Sequence, residues 1–94
     1  MATSKEHSMR ERIEERPRNA RARAQLACYL NEQAKGKREE DPKKGSLLQS
    51  EATHLAEQAV EIGPSKPFGY AALSEIHSDH HERMNALRKA IQFS

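Results

Sequence analysis

The sequence predicts an all-α domain of about five helices, and three observations lead to this prediction. Apolar residues recur at three- and four-residue intervals, which is the spacing of one face of a helix. Prolines, glycines and capping residues divide the chain into segments of helical length. Almost no segment alternates apolar and polar residues as a strand would, and no Asn-Gly or Asp-Gly pair indicates a hairpin.

Length and composition predict a single small domain with a thin core of two helix layers. The chain has 94 residues, of which 32% are charged and 35% hydrophobic, so little apolar surface is available for burial. Cys28 is the single cysteine, which excludes an internal disulfide and favours a reducing compartment. Without a signal peptide or a membrane-spanning apolar run, the protein is expected to be soluble and intracellular, with the cytoplasm as its compartment.

The first two helices are each bounded by a residue with a clear physical role. The first is predicted over Lys5–Arg16, because Pro17 excludes the residue before it from the α region. The second is predicted over Ala20–Lys35, with Asn19 as the N-cap. Gly36 fits the left-handed position that follows many helices.

A charged segment separates the second helix from the third. Residues 36–45 contain no apolar side chain, so they are predicted to form a mobile surface loop. Ser46 and Gln49 form a capping-box pattern that opens the third helix. Gly63 and Pro64 end it.

Two shorter helices are predicted for the remainder of the chain. The fourth begins at Ser65, with Pro67 in its first turn, where a missing N–H has no consequence. Asp79 and Glu82 repeat the capping-box pattern and open a fifth helix that runs through Phe93.

Helices three and five have similar sequences, which indicates an internal repeat. AEQAVEIG at 56–63 aligns with LRKAIQFS at 87–94, and in the preceding helices Leu26 aligns with Leu73. A helix pair followed by a proline-marked break cannot bury both of its apolar faces alone, so such pairs stack on one another. The predicted arrangement is therefore one of stacked antiparallel helix pairs.

On these residues the chain resembles the tetratricopeptide repeat (TPR) family, whose repeats are helix pairs of about 34 residues. The matching positions are Leu26, Leu30, Ala52, Ala56, Ala59 and Pro64 in the first unit, and Tyr70, Leu73 and Ala90 in the second. Ala27 and Ser74 stand where the family has glycine, and the chain has no tryptophan. An ordinary small helical bundle is the alternative architecture.

The resemblance implies an organisation in three parts within a TPR-like α-solenoid fragment. Residues 1–18 form a polar helix that fits the tail of a preceding repeat. Residues 19–64 form the first helix pair, with the charged loop 36–45 as an insertion, and residues 65–94 form the second pair. The chain is therefore expected to be a fragment of a longer protein.

The resemblance also implies a non-catalytic scaffold that binds a protein or peptide in a helical groove. By position, the groove-facing candidates are Arg21, Cys28, Asn31, Phe68 and Glu75. Arg21 would pair with a ligand carboxylate, Asn31 would hydrogen-bond ligand backbone, and Phe68 would anchor an apolar group. The alternative for each is a purely local role, with Phe68 packed at a helix start and Arg21 solvated.

Two other functions stay open. Nucleic acid could be bound, although we expect this less, through the arginine-rich segment, whose phosphate contacts would be Arg16, Arg18, Arg21 and Arg23. Glutamates interrupt that segment and no aromatic residue is interleaved for base stacking. Alternatively the chain is a structural segment that packs against the rest of a longer chain, and an exposed apolar face on the fifth helix would be its sign.

Catalysis, a metal and a cofactor are not expected. Cys28 has no catalytic base near it in the sequence, and neither a phosphate-binding loop nor a nucleophile elbow is present. His77 and His81 have the four-residue spacing that can hold Zn²⁺ on a helix. The helix start proposed at Asp79 lies between them, so we expect a turn cluster, of which His80 is also part, and no metal site.

Overall fold

Five α-helices make up the fold in a computed structural model that describes residues 4–37 and 39–94. The predicted all-α class is confirmed, and no strand occurs in those ranges. The first three residues of the segment 1–18, and Arg38 in the predicted loop, lie outside the described residues. The helices are α1 (Ser4–Glu15), α2 (Ala20–Lys37), α3 (Pro42–Ile62), α4 (Phe68–Ile76) and α5 (His80–Gln92).

Local capping accounts for the starts of α2 and α5, as the sequence predicts. The Asn19 Oδ1 accepts a hydrogen bond from the Ala22 N–H at 3.1 Å, and the Asp79 Oδ1 accepts one from the His81 N–H at 2.9 Å. Each bond satisfies an N–H of the first turn that has no partner inside the helix. Glu82 does not complete the capping box at Asp79; its Oε2 lies 3.3 Å from the His77 Nδ1.

The prediction of a loop at residues 36–45 is wrong, because most of this segment is helical. Gly36 remains inside α2, and its backbone is not left-handed. Asp41, rather than Ser46, caps α3: its Oδ1 accepts a hydrogen bond from the Lys44 N–H at 3.2 Å, and Pro42 occupies the first helical position. These charged side chains need no burial, since an exposed helix end solvates them as well as a loop does.

The joint between α3 and α4 also differs from the prediction in detail. Gly63 caps α3 with φ of −129°, outside the left-handed region, and its N–H donates to the Ala59 carbonyl at 3.0 Å. The chain then turns, with the Lys66 N–H donating to the Gly63 carbonyl at 3.0 Å. Pro67, rather than Ser65, precedes the first residue of α4 and makes no side-chain capping bond.

Contacts near the helix ends establish the direction of each helix. The Arg23 guanidinium near the start of α2 donates to Gln58 near the end of α3, at 2.8 Å, so these two helices run in opposite directions. Tyr70 near the start of α4 stacks on Phe93 after α5, with ring centroids 5.7 Å apart. Lys5 near the start of α1 lies over the Tyr29 ring in the middle of α2, at 5.5 Å from its centroid, whereas Glu14 near the end of α1 lines a small cavity with Arg23 near the start of α2. Consecutive helices therefore alternate in direction.

The core lies between α2, α3 and α4 and consists mainly of alanine. Leu26 and Leu30 are its largest fully buried apolar side chains. Buried alanines surround them, namely Ala20, Ala24, Ala27, Ala52, Ala56, Ala59 and Ala72. Side chains this small let helix axes approach closely, and the Cα trace is accordingly only 15 Å thick against 37 and 34 Å in the other directions. The described part of the chain is thus a flat slab of two helix layers.

Outside this core, the backbones of α1 and α5 each lie close to that of one neighbouring helix. Helix α1 packs on α2, where Met9 and Ile13 cover the core edge, and α5 packs on α4. An ion pair also joins α1 to α3, because the two terminal nitrogens of Arg10 donate to the Glu51 carboxylate at 2.8 and 3.2 Å. This hydrogen-bonded carboxylate raises the pKa of Arg10, so the pair stays charged.

Candidate functional site

The main concavity of the slab is a groove of about 580 Å³ between α1, α2 and α4. Its floor is apolar and is formed by Met9, Ala24 and Ala72, with Phe68 at one end. Helix α2 lies in the middle, so the side chains of one of its faces line the groove along its length. Of the predicted groove residues, four line it: Arg21, Cys28, Phe68 and Glu75.

Helices α2 and α4 run in the same direction along this groove. The joint before α4 lies against the start of α2, since a Cβ built on Gly63 would be 3.4 Å from the Ala20 Cβ. Towards the other end, the Glu75 carboxylate of α4 lies close enough to the Cys28 thiol of α2 to raise the pKa of that thiol. Arg21 and Cys28 of α2 therefore lie beside Phe68 and Glu75 of α4, and the seven-residue spacing within each pair keeps both residues on one helix face.

The prediction that Asn31 faces the groove is wrong. Its side chain is buried, with 1% of its surface exposed, and its Nδ2 donates to the Glu75 carbonyl at 3.4 Å. That carbonyl is in the last turn of α4, where it has no partner inside the helix. Asn31 therefore joins α2 to α4 and does not present its amide to a ligand.

The groove has opposite charges at its two ends. Arg12 and Arg21 line the end beside Phe68, and Glu32 and Glu75 line the other, where Lys5 also lies over Tyr29. Neither arginine has an ion-pair partner among the residues that the structure describes. At 1.5 Å per residue, Arg21 and Glu32 are about 16 Å apart along α2, which is the span of about five residues of extended peptide.

Two of these charges lie where they oppose the dipole of their own helix. Arg21 is in the first turn of α2, the positive end, and Glu75 is in the last turn of α4, the negative end. Each charge therefore lowers the stability of its own helix, by roughly 0.3–1 kcal/mol. The two side chains are therefore poorly placed for stabilising the helices and well placed for contacting something in the groove.

Cys28 lies on the groove wall as a protonated thiol. It is half-buried, and burial, followed by the hydrogen bond and negative charge of Glu75, raises the pKa of Cys28 to about 12. Because the thiolate is the nucleophilic form, this environment suppresses thiol reactivity near neutral pH. The Cys28 side chain thus provides a small apolar surface with a weak donor.

Helix α1 contributes a wall that the sequence reasoning missed. Lys5, Met9 and Arg12 all line the groove. Their i, i+4, i+7 spacing places them on one helix face, and this was the available signal. The sequence predicted this helix only as the polar tail of a preceding repeat, so its groove residues were not predicted.

The four arginines of the nucleic-acid alternative do not form one face. Arg21 faces the groove, whereas Arg23 lies two positions on, about 200° around α2. Arg23 is also engaged: its Nε donates to the Pro17 carbonyl at 2.9 Å in addition to its bond with Gln58. Phosphate binding at this segment would thus depend mainly on Arg16 and Arg18, which are exposed beside Pro17.

The histidine cluster forms the turn between α4 and α5. His77 caps the end of α4 and pairs with Glu82, while His80 and His81 are exposed in the first turn of α5. Within residues 4–37 and 39–94, no group of three histidine, cysteine or acidic side chains is arranged to hold a metal ion. None of the helices in those ranges has the length and apolar character needed to cross a membrane.

Comparison with known proteins assigns no family to this fold and groove. Models of protein families, curated proteins and solved structures all give no match to the chain. Function must therefore be argued from the geometry of the groove itself.

Proposed function

We propose that the protein is a non-catalytic interaction scaffold whose groove binds a peptide segment of a partner protein. The observation that carries this proposal is the combination of an apolar floor with unpaired arginines at one end and carboxylates at the other. A peptide suits this groove because it can supply apolar side chains between groups of opposite charge. We further propose an intracellular, cytoplasmic location, on the basis of the single cysteine.

The helix arrangement supports a TPR-like scaffold made of degenerate repeats. In this proposal α2 and α3 form one pair, α4 and α5 the next, and α1 is the second helix of an earlier pair. Helix α4 packs on both α2 and α3, as the first helix of a stacked unit would. The parallel course of α2 and α4 places the first helices of both pairs along the groove.

The charge pattern also predicts the orientation of the peptide. An acidic residue would lie beside Arg12 and Arg21, and a basic residue would lie near Glu32 and Glu75, about five residues away if the peptide is extended. Apolar side chains between them would contact Ala24 and the neighbouring floor. Charge pairs at the rim mainly determine orientation and association rate, whereas burial on the floor supplies affinity.

Selection from a random peptide library against the immobilised protein tests the proposal. Selected peptides should carry an acidic and a basic residue on either side of apolar positions. Their binding should weaken about tenfold or more with Arg21→Glu or Phe68→Ala. The matched controls are Arg18→Glu and Leu47→Ala, which change exposed residues outside the groove.

Arg21→Glu is the decisive variant because Arg21 is exposed and its replacement leaves the core intact. Peptides with the acidic residue replaced by lysine should bind this variant better than they bind the natural protein. If the selected peptides bind Arg21→Glu and Phe68→Ala as well as the controls, the groove is not the site. If no peptide is selected, the proposed function is wrong.

A further inference from the structure

Helix α5 has a second surface, separate from the groove, that is apolar and exposed. Met84, Leu87 and Ile91 are 39%, 40% and 71% exposed, respectively. At 100° per residue these three side chains lie within about 60° of one another on the helix. Exposed apolar residues scattered singly are common, but three in one stripe form the kind of face expected if the chain packs against the rest of a longer chain, and a partner protein can cover it equally well. We call these three residues the α5 stripe.

The orientation of the α5 stripe is determined by contacts on the opposite side of the helix. Ala86 is buried, the Glu82 carboxylate contacts His77, and Phe93 stacks on Tyr70. Lys89 lies over the same Tyr70 ring, with its Nζ 5.5 Å from the centroid. These contacts all join α5 to α4 or to its C-cap, and among the described helices α4 is the one whose backbone lies close to that of α5. The stripe therefore faces outwards.

Basic residues border the α5 stripe on both sides. Arg83 lies about 40° beyond Leu87 on the helix surface, and Arg88 lies about 40° beyond Met84 in the other direction. Both are exposed, and neither has an ion-pair partner among the residues the structure describes. Glu82, the acidic residue of α5, lies about 170° from the centre of the stripe, on the α4 side.

This charge pattern disfavours a second copy of the chain as the occupant. With Met84 and Ile91 at the a positions and Leu87 at d, Arg83 is a g residue and Arg88 an e residue. A parallel pair of α5 helices would place Arg83 of one copy against Arg88 of the other. An antiparallel pair would again bring basic flanking positions together. Like charges across such a seam oppose association.

We infer that the α5 stripe binds an amphipathic helix of a partner protein whose apolar face is bordered by acidic residues. Packing of two helices along their apolar stripes buries Met84, Leu87 and Ile91, and glutamates on the partner pair with Arg83 and Arg88. The surface is independent of the groove, since no α5 residue lines it. A scaffold with both surfaces can hold two partners at once.

Two synthetic helices of about 18 residues test the inference. Both carry leucine at the a and d positions; one has glutamate and the other lysine at the e and g positions. Titration followed by fluorescence polarisation should show about tenfold or tighter binding of the glutamate peptide, weakening as salt is raised. The double variant Arg83→Glu/Arg88→Glu should reverse the preference between the peptides.

The triple variant Met84→Ser/Leu87→Ser/Ile91→Ser should weaken binding of the glutamate peptide by about thirtyfold or more. Its helical circular dichroism should be unchanged, because all three residues are exposed. Arg21→Glu serves as the control, since it changes the groove and leaves α5 intact. Equal binding of the two peptides, or binding of neither, would overturn the inference. A dimer in sedimentation equilibrium that the triple variant dissociates would overturn it too.

Discussion

Of Gly36, Gly63 and Gly69, Gly69 should be the one whose replacement destabilises the fold most. It is buried in the first turn of α4. A Cβ built on it would lie 2.6 Å from both the Val60 backbone nitrogen and the Val60 Cγ2, and 3.0 Å from the Ala59 carbonyl carbon. Ordinary contacts begin at 3.4 Å, so α4 and α3 would have to separate by about 0.8 Å. Gly69 thus permits the close approach of these helices.

The loss in free energy of unfolding caused by Gly69→Ala is the difference between two opposing contributions. Overpacking of this kind costs about 1–3 kcal/mol, and the upper value applies because a backbone contact cannot be relieved by a rotamer change. Alanine recovers about 1 kcal/mol through its higher helix propensity. Gly69→Ala should therefore lower the free energy of unfolding by about 2 kcal/mol. In a domain of this size that corresponds to a decrease in Tm of about 8–16 °C.

Gly36→Ala is the matched control for this prediction. Gly36 is helical and exposed, and nothing lies within 4 Å of the position its Cβ would take. The same substitution should raise the free energy of unfolding by about 0.5 kcal/mol. Urea and thermal unfolding followed by circular dichroism measure both variants. If Gly69→Ala is as stable as the natural protein, the proposed close approach of α4 to α3 is incorrect.

Two further predictions concern the start of α3 and the thiol. Asp41→Ala should lower the free energy of unfolding by about 1 kcal/mol, whereas Ser46→Ala should leave it unchanged or slightly raised. If urea unfolding shows the larger loss for Ser46→Ala, α3 begins at Ser46 and not at Asp41. Because the pKa of Cys28 is raised to about 12 in the folded state, folding retains a proton that the unfolded thiol releases above about pH 8.5. Stability from this group is complete below that pH and is lost as pH rises towards 12, and solvent screening of the half-buried thiol keeps the loss well below the limit of about 1.4 kcal/mol per pH unit. The natural protein should therefore lose more stability than Cys28→Ala between about pH 9 and pH 11, and parallel profiles in urea unfolding would show that the thiol is not perturbed.

Features with local causes were predictable from the sequence. The caps at Asn19 and Asp79 depend on a side chain and an N–H two or three residues away, so the residue types alone indicate them. The start of α3 was also locally encoded, in the pair Asp41-Pro42, a capping residue followed by a proline at the first helical position. The end of the second helix was predicted too early, at Lys35, because glycine at position 36 permits a left-handed conformation without requiring one.

Features that depend on which helices become neighbours were predictable only in part. The positions implied by the TPR resemblance put Arg21, Cys28, Phe68 and Glu75 on faces that the structure brings to one groove. The same reasoning failed for Asn31, because its partner is a carbonyl at the end of another helix. It also could not show that α1 lines the groove, or that Gly69 lies against the Val60 backbone. These contacts arise only once the helices pack.

Helix α4 links the two proposed surfaces and depends on its neighbours for stability. It has nine residues, fewer than the roughly 12–15 below which an isolated helix is marginal in water. Its order must therefore come from packing: on α3 through Gly69, on α2 through Asn31, and on α5 through Tyr70. Because α4 supplies Phe68 and Glu75 to the groove and also holds α5, loosening it should weaken both surfaces together. Gly69→Ala is then expected to reduce binding at both, whereas Arg21→Glu and the triple variant in the α5 stripe each reduce binding at one.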